Sequence, residues 1–171
     1  MARARGGGDR RRASGAGSGA CHEAVDTFAA SRRSRRALLR AEAVSLKEDL
    51  AALGRSLVVV VGGGRDYKDH ARVWWALDGV HVAHGIARLA HGGARGADTL
   101  AGEWAREVDV DVEVFAAEWE RLGKRAGFVR NEAMLDAVKP DLVIAFEGGK
   151  GTDNLVTGAR SRGLRVWRVK P

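Results

Sequence analysis

Four glycine-rich segments contain the residues of this sequence that are best suited to binding an anion. The clearest is His91-Gly92-Gly93-Ala94-Arg95-Gly96-Ala97-Asp98, which follows the apolar stretch 87–90 and precedes a helical pattern at 99–108. Glycines between a strand and a helix leave backbone N–H groups accessible, and the helix N-terminus adds partial positive charge. Arg95 adds a full positive charge. The segment therefore predicts a phosphate-binding turn.

The other three segments have similar chemistry. The segment Gly62-Gly63-Gly64-Arg65-Asp66 follows a run of valines, and its glycines allow a ligand to approach the backbone closely. Segment 123–131 contains a basic pair between two glycines and ends with Arg130 and Asn131 in the first turn of a predicted helix. A cation at that position opposes the helix dipole unless an anion is bound. Segment 147–152 follows another apolar run and predicts exposed N–H groups beside a threonine hydroxyl.

Several other chemistries lack the residues that they need. Segment 62–66 does not have the pattern G-x-G-x-x-G, which disfavours nicotinamide-dependent dehydrogenation. Segment 147–152 is not a Walker A loop. The five histidines share no spacing with acidic partners, so we expect no metal site and no required cofactor. Ser56 and Ser161 are poorly placed to act as nucleophiles. Cys21 is the only cysteine, which excludes an intramolecular disulfide.

The positive charge of the chain is concentrated at its N-terminus. Residues 1–55 carry 12 Lys and Arg against 6 Asp and Glu, whereas residues 56–171 carry 17 against 16. We predict that residues 1–55 form a basic extension, disordered and then helical. Its basic cluster is expected to be a solvated face or tail, with a weak contact to nucleic acid or protein as the alternative. The nearly neutral remainder argues against a duplex-binding face. No apolar run is long enough to span a bilayer, so we expect a cytoplasmic protein without membrane contact.

Residues 56–171 alternate between strand and helix patterns. Predicted strands cover 57–61, 87–91, 111–115, 141–146 and 165–169, and predicted helices cover 68–82, 96–108, 128–138 and 151–162, with a polar loop at 116–127. This alternation predicts an α/β domain, a Rossmann-like three-layer sandwich around a mostly parallel sheet of about five strands. Ligands of such sheets bind beyond the carboxyl ends of the strands, where all four glycine-rich segments would converge.

The four segments together resemble one family. Gly-Gly-Arg-Asp at 63–66, His-Gly-Gly-Ala-Arg-Gly-Ala-Asp at 91–98, Gly-Lys-Arg-Ala-Gly-Phe-Val-Arg-Asn at 123–131 and Phe-Glu-Gly-Gly-Lys-Gly-Thr at 146–152 are similar to the YspA-type, YpsA-related branch of the SLOG superfamily. The similarity covers residues 56–171. It implies a Rossmann-like domain that binds a nucleotide or a nucleotide-derived ligand and pairs into a homo-oligomer. Trp74, Trp75 and Trp167 are apolar candidates for the interface, although core burial is the simpler expectation for at least two of them.

The resemblance also implies which residues line the ligand site. We predict Gly63, Gly64, Arg65, Asp66, His91, Gly92, Gly93, Ala94, Arg95, Gly96, Asp98, Lys124, Arg130, Asn131, Gly148, Gly149, Gly151 and Thr152. The related LOG phosphoribohydrolases carry Pro-Gly-Gly-x-Gly-Thr-x-x-Glu, but here Glu147 replaces the proline and Leu155 replaces the glutamate that serves cleavage. A hydrolase would therefore need another carboxylate, for which Asp66, Asp98 and Glu147 are the candidates.

Three functions follow from these residues. The first is a sensor or ligand-handling domain for a nucleotide derivative such as ADP-ribose, an NAD derivative or a nucleoside monophosphate. The second is a hydrolase that cleaves an N-glycosidic or phosphoester bond of such a compound. The third is a DNA-binding protein similar to the DNA-processing branch of the superfamily, which would depend on the basic extension.

Overall fold

The computed structural model of the protein describes residues 48–170. After a helical turn at 48–51, strands and helices alternate along the chain. The strands are β1 (Leu57–Gly62), β2 (Ile86–His91), β3 (Asp111–Val114), β4 (Leu142–Ala145) and β5 (Arg165–Arg168). The helices are α1 (His70–His84), α2 (Ala97–Glu107), α3 (Trp119–Leu122), α4 (Ala126–Val138) and α5 (Lys150–Ser161), with a 3-10 turn at Gly123–Arg125 between α3 and α4.

The five strands form one fully parallel sheet in the order β3-β2-β1-β4-β5. From β1 the chain first builds one side of the sheet through β2 and β3, and then crosses to the other side for β4 and β5. The point at which the direction reverses lies between β1 and β4. This confirms the predicted α/β Rossmann-like fold and places its usual binding crevice beside β1.

Strand β1 is buried on both faces, which is why its sequence is a continuous run of β-branched residues. Its alternate side chains enter two different cores. Val59 and Val61 pack with α1 and α2 on one face, in a cluster that includes the fully buried Trp104. Val60 packs with α4 and α5 on the other face, beside Met134 and Leu155. Helices therefore cover both sides of the sheet.

The segment that precedes β1 is attached to this core. Leu50 is buried, and the Asp141 carboxylate accepts hydrogen bonds from both terminal nitrogens of Arg55 and from the backbone N–H of Val58. The rest of the predicted N-terminal extension, including Cys21, lies outside the described residues. No helix in the described part of the chain combines the length and the hydropathy that crossing a bilayer requires.

The predicted polar loop at 116–127 differs most from the structure. Residues 119–125 form two short helical turns, and α4 begins at Ala126 instead of residue 128. Gly127 lies inside α4, where its missing side chain leaves room for the Trp119 ring, 3.3 Å from the position that a Cβ would take. The glycine serves packing here and does not end the helix.

The three tryptophans predicted to form an oligomer interface differ in exposure. Trp75 is exposed on α1, whereas Trp74 and Trp167 are half-buried and contact the core. The rings of Trp75 and Trp167 lie 6.1 Å apart. Self-association of the protein stays a prediction.

Candidate functional site

A cleft of about 380 Å³ opens at the carboxyl end of β1, at the reversal point of the sheet. It is bordered by the turns after β1, β2 and β4 and by the segment that leads from β3 into α4. These are the four glycine-rich segments of the sequence. Their convergence follows from the parallel sheet, since the carboxyl ends of parallel strands lie at one edge.

The turn after β1 is wedged between two other turns. The backbone N–H of Gly64 donates to the carbonyl of Glu147 at 2.8 Å, and the carbonyl of Gly64 accepts from the N–H of Ala97 at 3.3 Å. A Cβ on Gly63 would lie 2.5 Å from the Cβ of Ala97. Glycine is therefore required here by the close approach of α2 and of the turn after β4.

The turn after β2 has its shape fixed by three glycines. Gly93 and Gly96 have φ values of 67° and 79°, which a residue with a side chain rarely adopts. A Cβ on Gly92 would overlap the guanidinium group of Arg130. The glycine at 92 thus leaves the space in which Arg130 enters the site from α4.

Asp98 is the one carboxyl group among the residues that line the cleft. It lies in the first turn of α2, is 4% exposed, and accepts a hydrogen bond from the N–H of Ala94 at 3.1 Å. Burial raises its pKa from 3.8 to about 6, although the Ala94 hydrogen bond and the charge of Arg130 act in the opposite direction. Asp98 therefore titrates close to neutral pH.

His91 is buried and does not line the cleft. Its Nδ1 accepts a hydrogen bond from the N–H of Gly93 at 3.0 Å, so this nitrogen carries no proton. Burial, together with the positive charges of Arg130 and Arg106, lowers the pKa of the imidazole. Through the hydrogen bond from Gly93, His91 holds the turn after β2.

Arg130 and Asn131 connect α4 to both sides of the cleft. The Arg130 guanidinium donates to the carbonyl of Phe115 and to Oδ1 of Asn131, each at 3.1 Å. The Asn131 amide donates to the carbonyl of Gly151 at 3.0 Å and to Oδ1 of Asn154 at 2.9 Å. Asn131 therefore positions the N-terminus of α5, and Arg130 is fixed in the lining of the cleft by its two hydrogen bonds.

The first turn of α5 is suited to an anion. No described side chain caps this helix, and its N-cap residue is Gly149. The first N–H groups of a helix have no partner within the helix, so those of Lys150 and Gly151 can bind a ligand. A Cβ on Gly149 or Gly151 would meet no atom within 4 Å, which shows that space is open there.

The cleft is strongly cationic. Its lining includes Arg65, Lys124, Arg130 and Lys150 but only one acidic residue, Asp98. Within residues 48–170, no group of three or more His, Cys, Asp or Glu side chains is arranged to hold a metal ion. The arrangement therefore suits an anionic ligand that is bound by cations and backbone N–H groups.

Aromatic side chains form one border of the cleft. Trp119 and Phe128 both line it and are 47% and 41% exposed. The guanidinium carbon of Arg65 lies 4.8 Å from the centre of the Trp119 ring. The Arg65 cation therefore lies over the face of the indole.

Most of the residues predicted for the ligand site border the cleft. Those that line it are Gly63, Gly64, Arg65, Gly92, Ala94, Asp98, Lys124, Arg130, Asn131, Gly149, Gly151 and Thr152. The others are Asp66, His91, Gly93, Arg95, Gly96 and Gly148, and the carboxylate candidate Glu147 is outside the lining as well. Asp66 and Arg95 form an exposed ion pair with each other at 3.2 Å.

Eight further residues line the cleft outside the predicted set. They are Val61, Gly62, Trp119, Gly127, Phe128, Met134, Lys150 and Leu155. Lys150 lies between glycines inside the predicted segment 147–152, so the sequence could have indicated it as a ligand-site residue. Leu155 lies one helical turn after Gly151 and packs against Gly62, a contact that only the pairing of β1 with β4 creates.

Comparison with known proteins agrees with the sequence motifs. The family model described as "YAcAr: YspA, cpYpsA-related SLOG family" matches residues 57–122, which run from β1 to the end of α3. The chain is also similar to the "Gene 61 protein" of Mycobacterium phage D29, at 38% identity over 116 residues. That alignment covers 63% of this chain and 92% of the phage protein. The chain belongs to the YspA, cpYpsA-related SLOG family.

Proposed function

We propose that the protein binds a nucleotide or a nucleotide-derived ligand in the cleft beside β1, as a sensor or ligand-handling domain. The expected ligands are ADP-ribose, NAD derivatives and nucleoside monophosphates. The observation that carries the proposal is the meeting of four cationic side chains with the open first turn of α5. Cations and helix N-terminal N–H groups together are the usual means of binding a phosphate.

Substitution of Lys150, which lines the cleft, tests this proposal. Replacing it with glutamine removes one charge from the cleft, and we expect the affinity for AMP or ADP-ribose to fall about 10-fold, as for the loss of one charge-assisted hydrogen bond. Isothermal titration calorimetry on the full chain measures the change. Arg160→Gln is the matched control, because Arg160 is exposed in the last turn of the same helix. Equal affinities of the two variants would contradict the proposal.

A second function, hydrolysis of the bound nucleotide derivative, is favoured by Asp98. This residue has a buried carboxyl group in the cleft and a pKa of about 6, which suits a general base near neutral pH. Asp66 and Glu147 are weaker candidates because neither lines the cleft. Leu155 stands where the LOG-type glutamate would be, so Asp98 would have to activate the water itself.

Asp98→Asn distinguishes hydrolysis from binding alone. If the protein is a hydrolase, release of ribose phosphate or base from AMP or ADP-ribose should stop in this variant, while its calorimetric affinity stays within about threefold of the wild-type value. Liquid chromatography of the reaction mixture detects the products. Hydrolysis at the wild-type rate by the variant would exclude Asp98 as the base, and no hydrolysis by the wild type would leave binding as the function.

A further inference from the structure

Trp119 is an exposed indole that is held in place by its surroundings. The edge of its ring packs against Gly127, where Cη2 lies 3.3 Å from the position of a Cβ. Arg65 reaches it from the turn after β1, and its guanidinium carbon lies over the ring, 4.8 Å from the ring centre. Nearly half of the side chain remains exposed, and it borders the cleft. An aromatic platform that is already positioned can stack a planar ring at little entropic cost.

The aromatic platform and the anion-binding turn belong to different elements. Trp119 lies at the start of α3 and Phe128 in the first turn of α4, whereas the open N–H groups belong to α5, which follows β4. A ligand that uses both must combine an anionic group with a planar apolar ring. A sugar phosphate has only the first of these, and a nucleotide has both.

We propose that Trp119 is the base-binding residue of the cleft, on which the aromatic base of a nucleotide stacks in place of the Arg65 guanidinium. This inference rests on the proposed nucleotide binding. It adds that the cleft selects ligands that carry an aromatic base. An exposed cation–π contact is weak, so a base can displace it readily. The displaced Arg65 remains in the lining of the cleft, where it can contact the phosphate.

The test compares AMP with ribose 5-phosphate on the full chain. Trp119→Leu should lower the affinity for AMP about 10-fold or more, the range found for removal of a base-stacking aromatic. Its affinity for ribose 5-phosphate should stay within about twofold of the wild-type value. Trp75→Leu is the matched control, because Trp75 is also exposed but lies on α1 outside the cleft. AMP should also quench the tryptophan fluorescence of the wild type and of Trp75→Leu, but not that of Trp119→Leu.

A second variant probes the displacement of Arg65. Adenosine has a base and no phosphate, so Arg65→Ala, which uncovers the indole, should bind adenosine at least as tightly as the wild type does. Weaker adenosine binding by Arg65→Ala would overturn the displacement. If Trp119→Leu lost affinity for AMP and ribose 5-phosphate equally, or for neither, the assignment of Trp119 would be overturned. The proposal that the protein binds a nucleotide would still stand. Failure of the wild type to bind either compound would overturn both proposals.

Discussion

At the scale of single residues, the cleft depends on side chains that are absent as much as on those that are present. Gly92 provides the space that the Arg130 guanidinium occupies, and Gly64 lets the turn after β1 approach the carbonyl of Glu147. Arg130 in turn is fixed by the carbonyl of Phe115. Gly92 and Arg130 were predicted from the sequence as separate ligand contacts, and in the fold they also contact each other.

Gly92→Ala should therefore destabilise the protein and disturb the cleft. The added methyl group overlaps the Arg130 guanidinium, which must move and give up its hydrogen bond to the Phe115 carbonyl, so we expect the free energy of unfolding to fall by about 1 kcal/mol. Gly79→Ala is the control, because Gly79 lies inside α1 with nothing near its Cβ position. Alanine should stabilise that helix by about 0.5–1 kcal/mol. Urea unfolding measures both, and a Gly92→Ala variant as stable as the wild type would refute the contact.

Asp98 should make the stability of the protein depend on pH. Its pKa rises from 3.8 to about 6 on folding, so between these values the folded state binds more protons than the unfolded state does. The contribution of Asp98 to the free energy of unfolding therefore falls as the pH rises from about 4 to about 6. At 1.36 kcal/mol for each pKa unit, the decrease is at most about 3 kcal/mol.

Asp98→Asn isolates this effect, because asparagine does not ionise. Urea unfolding of both proteins at pH 4 and pH 7 should show the variant gaining stability relative to the wild type at the higher pH. Other titrating groups influence the two proteins equally and cancel in the difference. The same difference at both pH values would mean that the Asp98 pKa is not raised.

At the scale of elements, the parts that position the site are the ends of strands and the beginnings of helices. Helix α5 begins with Gly149 as an uncapped N-cap residue, and Asn131 of α4 holds its first turn through the carbonyl of Gly151. An uncapped N-terminus costs stability in the free protein, since a capping side chain would satisfy one of its N–H groups. The open turn is thus available for a ligand.

Gly149→Asp should improve the helix and impair the site. Aspartate is a favourable N-cap residue and the backbone at 149 is extended, so we expect a gain of a few tenths of a kcal/mol in stability. Its carboxylate would occupy the anion position and repel a phosphate, which should lower AMP affinity by at least 10-fold. Gly149→Asn caps the helix without the charge and should lose less affinity. If Gly149→Asp and Gly149→Asn bound AMP with equal affinity, the phosphate would not bind at the N-terminus of α5.

Much of this architecture could be predicted from the sequence. The β-branched run of β1 and the alternation of strand and helix patterns led to the correct fold, because burial on both faces leaves a clear mark in composition. The pairing of strands leaves no such mark. The contact of Leu155 with Gly62, and the ion pair that Arg95 makes with Asp66 at the surface, depend on spatial proximity between segments distant in sequence.

At the scale of the whole molecule, charge is distributed in two different ways. Residues 56–171 are almost neutral in total, yet their cleft carries four cations and one carboxyl group. The net charge of residues 56–171 therefore gave no indication of the strongly cationic cleft. The larger excess of positive charge lies in residues 1–55, nearly all of them outside the described range, and their contact with nucleic acid stays a prediction.

Native mass spectrometry of the freshly purified full-length chain tests the central claim most directly. We predict a mass above that of the polypeptide, which drops to the polypeptide mass on denaturation as a nucleotide or nucleotide derivative is released and identified. Thermal unfolding with NAD, ADP-ribose and nucleoside monophosphates should show a higher Tm with the same class of compound. An apoprotein mass alone, together with an unchanged Tm across all these compounds, would contradict nucleotide binding.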